Sequence, residues 1–587
     1  MSSEKIETTA EGVGSFGSSS NSDTDWAAAG SYTVMRRLLR QVRDWTMLEV
    51  RAIATGTLGH LCAVATVGLS IAAFASAAQN AGTATVVTLM ILAALCAVAR
   101  GYFAYREQLH NHNMAFSVLR DIRSRVFAKM RRLAPAKLQE KGKGDLVTVL
   151  TEDIELLEIF YAHTLSPFAI AVICTLVVDG YIASLNWGLG LLALLGHLVI
   201  AALVPALTAR SARRASSVER KEQAALHSTL LEYVEAKRDI VRFNAQQHSL
   251  GIIENEESRL ADARRKREKS STLNSTIDEL LILGLSTLMA GCAAALAFSG
   301  TLSAAGALVA FGVYASSFAP VLAVARLGTG LQPTLASARR VFSLMEETPA
   351  VTENADGTRL DGFTGLTARE MDFAYNASEP VLRNANLDIA AGDFLGIEGR
   401  NGAGKTTLLN LLMRFRDRTA GSLEINGTDI ARVNTASLRD TETLALQDTF
   451  IFDGTLRENL LVAKPSATDE EVANAIEQSE ISDVIAELPD GLEHHFTAGK
   501  EELSDGERQR IGIARALLSD ASLLLFDEPT SNMDALLEGR IMQALVKHQQ
   551  NRTMVLVSHR QAALAYTRRR VELEEGTLVE KKTDADR

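Results

Sequence analysis

The sequence predicts an α-helical, six-span membrane domain followed by a soluble α/β domain, and three observations carry that expectation. Residues 52–99, 161–209 and 271–325 contain no Lys or Arg, whereas the segments between them are rich in both. From about residue 366 the composition becomes that of a soluble α/β domain. Within this second half a glycine-rich loop, Gly399 to Thr407, follows an apolar strand and leads into an apolar helix.

Each charge-free stretch is roughly 50 residues long, and one bilayer crossing needs about 20 apolar residues. Two spans and a tight turn fit each stretch better than one span. Gln79-Asn80-Ala81-Gly82, Asp179-Gly180 and Ser299-Gly300-Thr301 supply polar and glycine punctuation for the turns. The expected spans are 52–78, 83–106, 161–179, 181–208, 271–298 and 303–325. Arg and Lys crowd the segments 100–160 and 209–270 and avoid the hairpin tips, so these connectors and both termini are expected on the cytoplasmic side. The connectors hold very little Pro or Gly and read as helices running on beyond the membrane. A basic, apolar-periodic stretch at 33–48, ending near Trp45, reads as an amphipathic elbow helix lying in the interface.

The expected domains are a disordered tail at 1–30, the elbow helix at 31–50, the membrane domain at 51–345, a linker at 346–365 and the α/β domain at 366–587. The tail is rich in Ser and Gly, carries acidic residues and has no apolar core, unlike a cleaved signal peptide. Net charge is −11, and no arginine-rich stripe with interleaved aromatics exists, so no nucleic-acid partner is expected. Cys62, Cys96, Cys174 and Cys292 lie far apart in apolar stretches and suggest packing rather than a zinc site or disulfide framework.

The loop reads Gly399-Arg-Asn401-Gly402-Ala-Gly404-Lys405-Thr406-Thr407, a phosphate-binding pattern in its required strand–loop–helix setting. Its glycines let backbone N–H groups turn toward phosphates, Lys405 adds positive charge, and Thr406 can ligate Mg²⁺. Downstream, an apolar strand ends in Asp527-Glu528. Asp527 is suited to holding Mg²⁺ and Glu528 to polarising the attacking water.

With those motifs in order, the domain resembles an ATP-binding-cassette (ABC) ATPase over its whole length. The resemblance implies adenine stacking on Tyr375, and a Mg²⁺-sensing role for Gln447, counted both as catalytic and as a metal ligand. It also implies a switch histidine at His559, a D-loop at Asn532-Met533-Asp534, and a signature at Leu503-Ser504-Asp505-Gly506-Glu507. Ser504 and Gly506 of that signature would close over the ATP of an opposite domain. Gly399, Asn401, Gly402, Gly404, Lys405, Thr406 and Thr407 would hold this chain's own ATP.

One membrane domain followed by one nucleotide domain is similar to the exporter-type ABC half-transporters. Ala99-Arg-Gly-Tyr-Phe, Val118-Leu-Arg, Gly144-Asp-Leu and Ser166-Pro167 resemble the C subunit of the bacterial cytochrome-bd assembly transporter, whereas Glu158 to His163 departs from it. The implied activity is ATP-driven transport of a small molecule (a thiol, a haem-like compound, a siderophore or another amphipathic compound) across a bacterial inner membrane. ATP and Mg²⁺ are the implied cofactors, and a second half-transporter and the lipid bilayer the implied partners. The signature departs from the common LSGGQ at Asp505 and Glu507, and an added carboxylate near a phosphate repels it. This favours a heterodimer with one weakened site over a homodimer. Turns near Pro135–Gly144 and Ala236–Phe243 are candidate coupling contacts. His60, His163 and His197, in apolar segments, are either contacts for haem or a metal chelate, or packing and polar-bridging residues. An importer on the same fold and a regulatory subunit without its own transport are the alternative functions.

Overall fold

A computed structural model describes residues 26, 28–80, 82–376, 379–497, 502–549 and 552–581. The tail expected to be disordered lies outside the described residues up to position 25, and so does Ala81 of the first expected turn. Trp26 is already ordered: it is buried, packs in a tilted contact with Phe342 at 5.3 Å and donates to Glu346. The chain divides into two compact units, Met1–Arg132 with Lys141–Glu347, and Leu133–Glu140 with Thr348–Arg587.

The first unit is helical. Ser31–Gln41 forms an amphipathic helix, with Val34 and Leu38 buried and Arg36, Arg37 and Arg40 on other faces; it stops short of the expected 31–50, because from Thr46 the chain already belongs to the first long helix. Among the described residues, six helices long and apolar enough to cross a membrane follow: Arg43–Ala78, Thr83–Leu133, Lys143–Leu185, Trp187–Leu207, Gln246–Phe298 and Ala304–Ala325. Thr83–Leu133 and Gln246–Phe298 have 51 and 53 residues. At 1.5 Å per residue they span about 75–80 Å, more than twice the hydrocarbon thickness, so both project far beyond it.

The first and third hairpin turns fall where expected, with Asn80 and Gly300 at φ of 56° and 74°. The second does not. Asp179-Gly180 lies inside a helix, and the chain reverses at Asn186, so the third span runs to Leu185 and the fourth begins at Trp187. Asn186 is extended, and its side chain accepts from the N–H groups of Gly188 and Leu189 at 3.0 and 3.3 Å, which caps the next helix. Asp179 does not break its helix because it is buried and partnered. Its Oδ1 lies 2.9 Å from His197 Nδ1, while His197 Nε2 lies 2.9 Å from Ser317 Oγ. His197 is therefore a polar bridge between three helices, set among Tyr314 and Phe318. Around it Ile182, Leu189, Ala193, Ile200, Met289, Ala293, Ala310 and Val313 form the apolar core of the unit.

The second unit has two main sheets. Glu379–Ala390, Gly365–Asn376, Ala420–Ile425 and Thr428–Asp429 form, in that order, an antiparallel sheet. The other sheet runs Thr577–Lys581, Arg569–Glu574, Phe394–Gly399, Thr553–Val557, Leu523–Asp527, Glu442–Ala445, and is parallel apart from its first strand. Leu523–Asp527 and Thr553–Val557 are buried at every position, as expected of strands covered on both faces. Because these strands run the same way, their carboxyl ends bring four loops to one edge: those after Gly399, Ala445, Asp527 and Val557. That edge is where open α/β sheets place ligands.

A candidate nucleotide site at the strand ends

The glycine loop turns into the helix Lys405–Leu412 through Gly404, whose φ of 104° and N-cap position suit a residue without Cβ. A Cβ there would also sit 2.9 Å from Val381. The helix start thus presents unpaired backbone N–H groups and the positive end of its dipole to the loop. Asn401 and Gly402 are exposed in that loop, and Gly399 is buried beneath it. Lys405 is buried, and its Nζ donates to the carbonyls of Gly399 at 2.9 Å and Arg400 at 3.2 Å. Its charge is held inside the loop rather than in solvent.

Opposite lies Glu528, whose Oε1 is 3.6 Å from Lys405 Nζ and 3.1 Å from His559 Nδ1. Glu528 has φ of 48°, a strained conformation for this residue type. Its N–H donates to Val557 O at 2.9 Å, and its carbonyl accepts from Ser531 N at 3.2 Å, so the surroundings hold the strain in place. Thr406 Oγ1 donates to Asp527 Oδ2 at 2.9 Å. Burial raises the Asp527 carboxyl above the usual range, helped by neighbouring Glu528 and opposed by Thr406 and Lys405. Two hard oxygen donors therefore converge beside the lysine, a donor set that fits Mg²⁺.

The structure brings Lys405, Thr406, Asp527, Glu528 and His559 into one constellation and links others to it. Tyr375, half exposed, meets Thr407 Oγ1 at 3.0 Å through its hydroxyl. The Arg416 guanidinium lies 4.6 Å above the Tyr375 ring and also donates to Ala136 O and to Glu140 at 2.8 Å. Those two residues sit in the expected coupling turn after Leu133. Gln447 follows the strand Glu442–Ala445 with its side chain exposed.

Ser504 and Gly506 belong to a different feature, the start of the helix Asp505–Leu518. Ser504 Oγ accepts from Glu507 N, and the Glu507 carboxylate accepts from Ser504 N at 2.7 Å, a reciprocal cap. Asp505 forms an ion pair with Arg508 one turn on. A Cβ on Gly506 would come 2.9 Å from Asn532 O, so glycine permits the signature and D-loop backbones to touch. Neither carboxylate of the signature is a bare charge: Asp505 is paired with Arg508 and Glu507 caps the helix. Ser504-x-x-Glu507 is itself a capping pattern, so that much was open to sequence reading.

Gln509 escapes the motif reading. It is almost fully buried, and its Nε2 donates to Gln447 O at 3.2 Å and Ser531 Oγ at 2.8 Å, while its Oε1 accepts from Asn532 N at 3.3 Å. Arg560 acts similarly, joining the loop after His559 to Ser531 O, Met533 O and Glu538. No sequence spacing signals either role, because each depends on segments far apart in the chain meeting.

Comparison with known proteins agrees with this architecture. The family described as ABC transporter transmembrane region matches residues 52–319, and the ABC transporter family matches residues 382–531. The chain is 35% identical over 553 residues to a probable ABC transporter ATP-binding/permease protein of Haemophilus influenzae, covering 93% of this chain and 99% of that one. It is 29% identical to the glutathione/L-cysteine transport system ATP-binding/permease protein CydC of Escherichia coli, over 84% of this chain and 85% of the relative. A solved bacterial Atm1-family ABC exporter with ATP bound shares the fold, with a TM-score of 0.76 at 24% identity over 92% of this chain and 96% of that one. The chain belongs to the ABC transporters, as a multi-pass exporter-type protein in which a six-helix membrane domain is fused to a domain that binds ATP and couples its hydrolysis to transport.

Proposed function

We propose that this chain is one half of a heterodimeric exporter of a small amphipathic molecule in a bacterial inner membrane, with its ATPase domain in the cytoplasm. Low-molecular-weight thiols are the first substrates to test, since the relative CydC is named for glutathione and L-cysteine. The observation that carries the ATPase part is the Lys405–Glu528–His559 cluster beside Thr406 and Asp527.

In this reading the glycine loop and the Lys405–Leu412 helix start bind the phosphates. Lys405 exchanges its loop carbonyls for phosphate oxygens, and Tyr375 stacks on the adenine. Thr406, Asp527 and Gln447 would hold Mg²⁺, which would supply positive charge to the phosphates. Glu528 accepts a proton from the attacking water while His559 holds its carboxylate in place. Gln509 ties the loop after Ala445 to the D-loop, so closure of one is felt by the other. Arg416 links the Tyr375 ring to Glu140 in the coupling turn.

A different partner is supported by the departure of the signature from LSGGQ at Asp505. Replacing Glu528 by Gln tests the catalytic assignment. The expected outcome in the lipid-embedded complex is retained ATP binding and steady-state hydrolysis lowered at least about tenfold, since the water loses its base. Turnover near wild type would remove Glu528 from that role.

A further inference from the structure

The membrane unit holds a second cluster that ATP handling does not use. His112 comes from the helix Thr83–Leu133, and Glu158 and His163 from Lys143–Leu185. One ligand atom from each lies within 4.8 Å of the other two. His112 Nδ1 is 3.2 Å from Glu158 Oε1, yet it is shielded from solvent and makes no aligned hydrogen bond among the described residues. Two donors bound tetrahedrally to one ion at about 2.0–2.1 Å sit roughly 3.3 Å apart, so this pair already has the required spacing. The His112 and His163 rings are 5.6 Å apart and nearly perpendicular, and His112 is braced by stacking on Phe116 at 5.6 Å.

The backbone explains why residues five apart can share this cluster. On an ordinary α-helix, at 3.6 residues per turn, positions 158 and 163 point about 140° apart. Here Tyr161–Leu165 is a π-helical segment, and Thr164 Oγ1 donates to Ile159 O, five residues back, at 2.9 Å. The wider turn rotates His163 back toward Glu158. Such π insertions tend to mark functional sites.

We propose that His112, Glu158 and His163 bind one divalent transition-metal ion of the zinc class. Two imidazoles and one carboxylate select such ions over Mg²⁺ or Ca²⁺, which prefer all-oxygen sets. Three protein ligands leave a coordination position open, and His163 lies on the exposed side of the cluster, so the ion can accept an external ligand. The site bridges two membrane helices and is independent of the ATP-site reading.

The test uses the full-length chain in lipid nanodiscs, stripped with chelator and titrated with Co²⁺ as a visible-absorbing probe. The expected result is saturation at one Co²⁺ per chain, displacement by Zn²⁺, and a Zn²⁺-dependent rise in Tm. His112→Asn, Glu158→Gln and His163→Gln should each weaken binding at least about tenfold and abolish the Tm rise, while His248→Asn changes neither. Each variant's metal-free melting curve shows whether it is folded, and the exposed His163→Gln keeps the test valid if the others are not. Absence of saturable binding, or variants that bind as the wild type does, would overturn the site.

Discussion

Glu442 shows how far this fold goes in burying charge: it opens the strand Glu442–Ala445, at the end away from the nucleotide edge. It is completely buried on the outermost parallel strand, with one oxygen paired to Arg439 and the other without a hydrogen-bond partner among the described residues. Burial pushes its carboxyl up to about 8 from 4.5, against the pull of Arg439, and burial likewise lowers Arg439. A carboxyl whose folded pKa lies above its unfolded value stabilises the fold while protonated. Its contribution is complete below about pH 4.5 and is lost as pH rises to about 8. Glu442→Gln lacks this titration. The Tm of wild type minus that of the Gln variant should therefore fall steadily between pH 5 and pH 8, by thermal unfolding in matched buffers; a flat difference would show that Arg439 keeps the carboxylate ionised throughout. Legibility at this scale follows locality. Lys405, Thr406, Asp527 and Glu528 can be named from sequence because neighbours along the chain define their setting. The roles of Glu442 and Gln509 cannot, because burial and the meeting of a helix with two distant loops exist only after folding.

Among the elements, six spans are legible because apolar length and the absence of Lys and Arg are additive along a segment. The second hairpin turn is not. Asp-Gly looks like punctuation, but an acidic residue can stay in a membrane helix when a partner waits on the next one, and His197 is 18 residues away. The true reversal at Asn186 depends on a single side chain capping the following helix. This relocates an accessibility experiment: in a cysteine-free background, cysteines at Gln79, Asn186 and Gly300 should react with a membrane-impermeant reagent on intact cells. A cysteine at Asp179 should be protected. Reaction at Lys237 from outside would reverse the orientation proposed for the ATPase domain.

For the whole molecule, the open matter is which chain it pairs with. The structure supplies Asp505 with Arg508 and turns Glu507 into a helix cap, so any weakening of the site this signature completes comes through Asp505 repelling the phosphate, a repulsion that its pairing with Arg508 reduces. In a heterodimer with an LSGGQ-type partner, the site built on Lys405 and Glu528 carries most turnover. Glu528→Gln should then abolish nearly all activity, whereas the corresponding change in the partner costs far less. Asp505→Gly should raise turnover at the partner's site. Full substrate-stimulated ATPase from this chain alone would count against pairing with a different subunit.

The 53 uninterrupted residues of Gln246–Phe298 also act as a mechanical arm. No proline interrupts the helix, so it has no built-in joint. Over about 80 Å, at 1.5 Å per residue, a tilt of about 5° displaces the far end by roughly 7 Å. A small rotation pivoting at the Gln246 end would thus become, at the Phe298 tip, a stroke comparable to the width of a small molecule. The gearing is set by helix length, so inserting or deleting whole turns of this arm would rescale the stroke without touching a single residue that binds nucleotide.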